Sequence, residues 1–246
     1  MHIRPLTRSD LPTVGTLAFE IFRRDELYQY LYPHHSQFPD DLRRHQLIRL
    51  RHRMAEVGSH GFVTVTDETD TDWTGKSEIL AFAFFIRTGD DEGGRKWRGD
   101  SVGKKLERYL LSWEAFYEEK LLNRAASLPR LTAFRKSLQP AYHSLLDPRW
   151  HLGILAVSPQ HQRRGIGSQL LHKLQDLATQ EEVPITLEAS VSGRGLYLKE
   201  GFRVVEQSVI VEGLDGIAMV WEPKMWRGRE GEGLLEGCDG EAFVEV

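Results

Sequence analysis

The segment Leu155-Ala156-Val157-Ser158-Pro159-Gln160-His161-Gln162-Arg163-Arg164-Gly165-Ile166-Gly167-Ser168 decides the fold. Its opening residues end an apolar run, His151 to Val157, that reads as a strand stopped by Pro159. From Ser168 to Gln180 the spacing is that of a helix, with Leu170, Leu171, Leu174, Leu177 and Ala178 on one face. Between strand and helix lies a glycine-containing turn. Without Cβ atoms, Gly165 and Gly167 let the backbone approach a ligand closely. The first N–H groups of the following helix have no partner within it, and the helix dipole favours an anion there. Arg163 and Arg164 add positive charge at the same place. Such a turn suits a pyrophosphate group. It is not a P-loop, because G-x-x-x-x-G-K-[ST] is missing, nor the three-glycine dinucleotide fingerprint. A glycine-rich turn that binds nothing is the other reading of the string alone.

Outward from this turn, strands and helices alternate. Pro184 ends the helix, Ile185 to Ala189 reads as a strand, Gly193 to Glu200 as a short helix, and Phe202 to Val211 as a strand. Asp215-Gly216 is a hairpin signal before a last strand, Ile217 to Trp221. From Pro223 onward Gly and Glu dominate, so residues 223–246 read as a loose tail. Upstream, Ile3 to Leu6 is a short apolar start, and Ser9-Asp10 caps an amphipathic helix running to about Tyr28. A second helix spans about Asp40 to Val57, stopped by Gly58 and Gly61. Phe62 to Thr66 and Ile79 to Ile86 read as strands joined by a polar loop. Residues 88–149 differ: a polar loop, Asp90 to Gly94, precedes helical patterns at Val102 to Leu122 and Leu131 to Leu146, separated by Pro129. They read as a helical insertion between two strands, not as a separate domain.

Composition removes several classes. Lys plus Arg number 32 and Asp plus Glu 36, a formal net charge of −4. That balance argues against a protein coated by nucleic acid, while leaving local basic patches open. A single cysteine excludes a disulfide framework and a four-cysteine zinc site. No run approaches the about 18 apolar residues of a membrane span, and Met1-His2-Ile3-Arg4-Pro5 lacks a signal peptide's apolar core. These features point to a soluble globular protein of a reducing compartment, expected in the cytoplasm, with neither membrane nor nucleic acid as a partner.

The order of strand, Q-x-x-G-x-G turn, helix, strand, short helix and Tyr197-Leu198-Lys199-Glu200-Gly201-Phe202 resembles the GNAT superfamily of acyl-CoA-dependent N-acetyltransferases. The likeness is specific over Leu152 to Glu206, topological over 1–87 and 207–222, and absent over 88–149. It implies a single GNAT-like α/β domain over 1–222, with a mixed, mostly antiparallel sheet of about six or seven strands and helices on both faces. It implies acetyl-CoA as co-substrate and an amine acceptor, either a small molecule or a protein. Gln162 and the backbone of Arg163, Arg164, Gly165, Ile166, Gly167 and Ser168 would hold the CoA pyrophosphate. In such enzymes the strand before the loop splays from its neighbour. Its free backbone groups, here those of Leu155, Ala156 and Val157, pair with the pantetheine and polarise the thioester carbonyl. Tyr197 would protonate the leaving thiolate; the alternative is a ring that packs in the cofactor groove. Ser190 and Gly193 stand where many members carry Asn and Ala.

Acetyl transfer needs a neutral amine. At pH 7 only about one lysine-like amine in 2,500 is neutral, so a base is useful. His151 is the candidate: by strict alternation 151, 153, 155 and 157 share a side, so its ring would look down the acyl channel. The alternative is a histidine that packs beside Trp150. No serine near the motif sits in a nucleophile elbow, so direct attack without a covalent enzyme intermediate is expected. An acyl-CoA-binding module without turnover is the competing function.

Weaker signals have plainer readings. Arg43, Arg44, Arg49, Arg51 and Arg53, with His45 and His52, read as a solvated basic helix face. His34-His35 do not face one way and have no third ligand nearby, so no metal is expected. Trp97, Trp113, Phe116, Tyr117, Phe134 and Tyr142 either line an acceptor pocket or form the insertion's own core. Cys238, in the tail, reads as inert.

Overall fold

The computed structural model describes residues 1–71, 73–137, 146–211 and 214–224. One sheet has the strand order β1-β2-β3-β4-β5-β7-β6. Its strands are β1 (His2–Pro5), β2 (Ser59–Val65), β3 (Ile79–Thr88), β4 (Arg149–Val157), β5 (Ile185–Ala189), β6 (Arg203–Val211) and β7 (Leu214–Trp221). Neighbours are antiparallel except β4 and β5, which are parallel because α7 (Ile166–Gln180) carries the chain back across the sheet between them.

The interior strand β3 is apolar from Ile79 to Ile86 because both its faces are covered: Leu80 to Phe85 are at most 3% exposed. On one face α7 lays Ile166, Leu170, Leu171 and Leu174 against Ala81, Ala83, Phe85 and Leu187. On the other, Val14, Leu17 and Ala18 of α1 (Leu11–Phe22) join Leu50 of α3 (Pro39–Ala55) against Val63, Phe82 and Phe84. Each fully buried leucine contributes about 2 kcal/mol by leaving water, and truncating one such as Leu174 to Ala costs about 2–5 kcal/mol.

Between β3 and β4 run α4 (Glu92–Arg98), α5 (Val102–Tyr117), a π-helical turn at Glu118–Leu122, and α6 (Leu128–Ser137). Ion pairs fasten this segment to the body. Arg8 meets Glu107 at 2.6 Å and Arg51 meets Glu114 at 2.7 Å. Asp41, buried on α3, accepts from Arg124 Nε at 2.9 Å and from the Arg124 backbone N–H at 3.0 Å. The Arg124 guanidinium holds the Asp41 carboxyl down at about 2. The charges of α3 are therefore not simply a solvated face: Arg44 pairs with Asp41, and His45 lies 3.2 Å from the buried carboxylate of Glu118.

Several boundaries differ from the sequence reading for local reasons. The first helix stops at Phe22, because Asp25 caps a separate α2 (Glu26–Leu31) by accepting from the Tyr28 N–H at 3.2 Å. Asp90 to Gly94, expected as a loop, opens α4, where Asp91 accepts from the Gly94 N–H at 3.1 Å. Pro129 lies in the first turn of α6, where its missing N–H is not needed. Asp215 and Gly216 pair with Val209 and Ser208 inside β7, so the connection falls at 212–213, outside the described residues. Also outside them lie 138–145 of the expected Leu131–Leu146 helix, with Tyr142, and the tail from 225, with Cys238.

Candidate active site

Gly165 caps α7 with φ +80°, and Arg163 has φ +62°. These left-handed residues bend the loop into a concave arc of N–H groups, an anion-binding shape. Nothing lies within 4 Å of a Cβ built on Gly165, so the arc faces open space. Ile166 anchors it, with a side chain 1% exposed. The N–H groups of Ile166, Gly167 and Ser168 come before the bond from Gln169 N–H to the Gly165 carbonyl at 3.0 Å and lack helical partners. At Gly167 a Cβ would press on Leu196 at 3.1 Å. Gln162 Nε2 donates to the Val157 carbonyl at 3.2 Å, which ties the loop to the end of β4. The Ser168 hydroxyl bonds to Glu200, whose carboxyl is thereby held below the usual carboxylate range. Only the Ser168 backbone N–H is left for a ligand.

The strand before the loop splays. Pairing of β4 with β5 covers Trp150↔Ile185, His151↔Thr186 and Leu152↔Leu187, and ends there. Beyond it β5 stays with β7 as far as Ala189, and β4 stays with β3 as far as Val157. Backbone groups of Gly153 to Val157 that face away from β3 thus have no strand partner, which includes the expected Leu155, Ala156 and Val157.

Gly153 is a bulge: Leu152 pairs with Phe85 and Ile154 with Phe84, leaving Gly153 unmatched. The extra residue shifts the alternation by one. Trp150, Leu152, Leu155 and Val157 face α7, whereas Ile154 and Ala156 face α1 and α3. His151, opposite in phase to Trp150 and Leu152, therefore shares a face with Ile154 and Ala156. The expectation that His151, Leu155 and Val157 share a side is corrected by this bulge. The His151 ring is half-buried, and its Nδ1 lies 3.0 Å from the hydroxyl of the fully buried Thr186. The space a side chain would need at Gly153 is filled by Arg53 Nη1, with Ile86 Cδ1 at 3.1 Å.

Tyr197 lies on α8 (Arg194–Lys199), and in the turn before it Ser190 Oγ accepts from the Gly193 N–H at 3.2 Å. Ser190 thus does local structural work at the position where relatives carry Asn. The Tyr197 ring is 8% exposed and meets Phe202 edge-on at 5.8 Å. Burial pushes its phenol up to about 12. Among the described residues no hydrogen bond holds its hydroxyl.

The aromatic residues of 88–149 separate. Trp97 packs edge-on against Trp150 at 5.2 Å and donates from Nε1 to Glu181 at 2.5 Å. Phe134 is half-buried near Leu42 and Tyr32. Trp113, Phe116 and Tyr117 are 59%, 58% and 54% exposed, so they are not the core of this segment. Sequence reasoning missed the placement of Thr186 beside His151 and of Arg53 at the strand fork. A lone glycine within a strand was the available signal for the bulge. Among the described residues no group of three or more His, Cys, Asp or Glu could hold a metal ion, and no helix is long and apolar enough to cross a membrane.

Residues 115–223 match the acetyltransferase (GNAT) domain family. This part of the chain is a GNAT acetyltransferase domain. The match begins inside α5, so the GNAT domain takes in part of the segment where the motif resemblance was absent. A protein named acetyltransferase from Stachybotrys chartarum is 25% identical over 204 residues, covering 82% of this chain and 80% of the relative. A crystal structure from Corynebacterium glutamicum, described as histone acetyltransferase HPA2 and related acetyltransferase, shares the fold. Its TM-score is 0.57 at 20% identity, over 90% of this chain and 95% of that one.

Proposed function

We propose that this GNAT enzyme, working in the cytoplasm, moves an acetyl group from acetyl-CoA directly to the amine of an acceptor, a small molecule or a protein. The observation that carries the reading is the fork between β4 and β5, which opens at Gly153 and runs to Val157, beside the anion-binding arc at the start of α7. The arc fits a pyrophosphate: the N–H groups of Ile166, Gly167 and Ser168 have no helical partner, Gly165 leaves it open, and Arg163 and Arg164 are exposed beside it. Bound acetyl-CoA supplies an acetyl thioester.

The chain's residues then have distinct tasks. The N–H groups from Arg163 to Ser168 hold the pyrophosphate, and Gln162 keeps the loop against β4. Backbone groups of Leu155, Ala156 and Val157 line the fork and orient the pantetheine, with an N–H polarising the thioester carbonyl. His151, steadied by Thr186 on the α1–α3 face, receives the amine proton directly or through water. Tyr197 gives its proton to the departing sulfur. A phenol at about 12 is a weak acid for a thiolate of ordinary pKa about 8.5, but the same burial that raises the phenol raises the thiol, which narrows the gap. A serine nucleophile is not favoured: Ser168 is engaged by Glu200, and Ser190 accepts from the Gly193 N–H in the turn before α8.

The test is CoA release from acetyl-CoA with a panel of amines, alongside intact-protein mass spectra during turnover. Amine-dependent CoA release with no acetylated enzyme is expected. An acetylated enzyme that turns over at the catalytic rate would overturn direct transfer.

A further inference from the structure

We infer that the acceptor carries a carboxylate, received beside the fork by Arg49 and Arg53 of α3 with Gln46 behind them. The inference rests on the acetyl-transfer reading and names its substrate class: a small molecule bearing both an amine and a carboxylate.

Leu42, Gln46, Arg49 and Arg53 follow one another at i, i+4, i+7 and i+11, a single stripe along α3. The stripe starts in the interior, with Leu42 at 0% and Gln46 at 2% exposed. An ordinary core stripe would continue with apolar residues; this one continues with arginines. Arg53 is half-buried and takes the space above Gly153, at the point where β4 leaves β5. Arg49 is open to solvent. The two heads thus sit where a ligand from solvent can reach the fork.

Negative charge reaches Arg53 only at a distance, from Glu56 and Glu188. Other arginines of α3 have carboxylates: Arg43 has Asp40 at 2.9 Å, Arg44 has Asp41 at 3.1 Å, and Arg51 has Glu114 at 2.7 Å. Among the described residues neither Arg49 nor Arg53 has a carboxylate within 4.0 Å. Among the described residues Arg49 donates to the Tyr28 hydroxyl, at 3.2 Å. Gln46 Nε2 is buried with no acceptor among the described residues. Burial, then the Arg49 charge, push Arg53 below its ordinary value, while Glu56 and Glu188 act on it only through space. Neighbouring cations without a directly bonded carboxylate are costly, and a bound anion relieves that cost. Guanidinium forks match a carboxylate in two-point geometry. Holding the carboxylate here would also orient the amine toward the fork, on the His151 face. The positive charges would lower the amine's pKa and raise its neutral fraction.

The experiment compares matched acceptors on the intact enzyme: amino acids, their carboxamides, and amines carrying a phosphate ester. The carboxylate series should have kcat/KM about ten- to a hundredfold above the carboxamides, the range for charge-assisted hydrogen bonds. Arg49→Gln and Arg53→Gln should each collapse that ratio toward one. Wild-type enzyme gives a second readout that needs no variant: propionate should compete with the acceptor and not with acetyl-CoA. Equal or better use of carboxamides, preference for phosphate esters, or no competition by propionate overturns the inference while leaving acetyl transfer intact. Absence of turnover with every amine would instead count against the acetyl-transfer reading, and propionate binding measured by calorimetry would still decide the anion site.

A separate observation carries a second proposal: we infer that α5 packs against α5 of a second copy of this chain. Leu106, Tyr109, Leu110, Trp113, Phe116 and Tyr117 are 54–61% exposed, while Leu111 on the opposite side is 1% exposed. Leu106, Tyr109, Trp113 and Phe116 have the spacing of a coiled-coil seam. Together the six expose roughly 800 Å², above the about 300–600 Å² of the largest patch on a typical monomer and near the about 800 Å² each partner gives to a standard interface. Sedimentation velocity should find a dimer that Trp113→Glu with Phe116→Glu converts to a folded monomer. A wild-type monomer, or a dimer indifferent to both changes, overturns this pairing.

Discussion

Replacing Tyr197 by Phe removes one hydroxyl and keeps the ring, its burial and its edge contact with Phe202. No hydrogen bond to the hydroxyl is lost among the described residues, so stability should stay within about 0.5 kcal/mol of wild type. The rate should not. With Tyr197 gone, water becomes the proton donor to the sulfur. The donor pKa then moves from about 12 to that of bulk water, about 15.7, a loss of roughly 3.7 units or about 5 kcal/mol in driving force. If about half of that is felt in the transition state, kcat falls about a hundredfold, at the low end of general-acid effects. Acetyl-CoA affinity should change by less than about twofold, because the hydroxyl matters as the sulfur gains charge. The assay is single-turnover CoA release at saturating acetyl-CoA, which isolates chemistry from product release. A phenol at about 12 also predicts no loss of wild-type rate through its ionisation below about pH 11. A single-turnover rate equal to wild type would refute the acid role and leave Tyr197 as packing.

Other outcomes test the remaining parts. Acetyl-CoA should raise the melting temperature, by the equivalent of about 2.7 kcal/mol at a hundredfold excess over Kd. Gly165→Val forces a β-branched residue to φ +80° and fills the arc, and an undiminished thermal shift in the folded variant would remove the cradle. His151→Gln should steepen the rate's dependence on pH, with partial rescue by an amine of lower pKa; a profile overlaying wild type from about pH 6 to about pH 9 would count His151 as structural. Asp41, held at about 2 by Arg124, adds stability that is present above its ordinary value of 3.8 and lost as pH falls through about 2. Asp41→Asn should therefore cost about 2 kcal/mol in neutral-pH denaturation, and its gap from wild type should close below about pH 2. Tyr197, raised by burial, works in the other sense: its stabilisation is present below about pH 10 and lost by about pH 12, and Tyr197→Phe should flatten that alkaline fall in thermal denaturation.

What the chain reveals by itself follows from how local the physics is. The α7 helix and its loop are written in adjacent residues: an apolar stripe, two glycines and a strand end. The α4 helix was hidden because Gly93 and Gly94 read as loop, while the Asp91 cap that starts it depends on one backbone N–H. The outward face of α5 was hidden too, since helical apolar spacing shows that a face exists and not which way it points. Arg49 and Arg53 looked like their neighbours on a basic helix. Only the packing of α3 against the sheet separates those that meet carboxylates from those that do not.

The bulge at Gly153 shows why the site itself was half legible. Trp-His-Leu-Gly-Ile-Leu-Ala-Val alternates evenly on paper, and even alternation puts His151 with Leu155 and Val157. One unmatched residue reverses that assignment for everything after it. The result is a strand whose later part aims Leu155 and Val157 at α7 and the phosphate arc, while His151, before the bulge, faces α1 and α3. The Arg53 guanidinium takes the space of the missing side chain at Gly153, and a larger residue there would push it aside. The residue that switches the strand's phase is therefore also the one that lets a cation from α3 reach the fork. Strand geometry and acceptor chemistry meet at that single backbone position, and neither is apparent until both elements are in place.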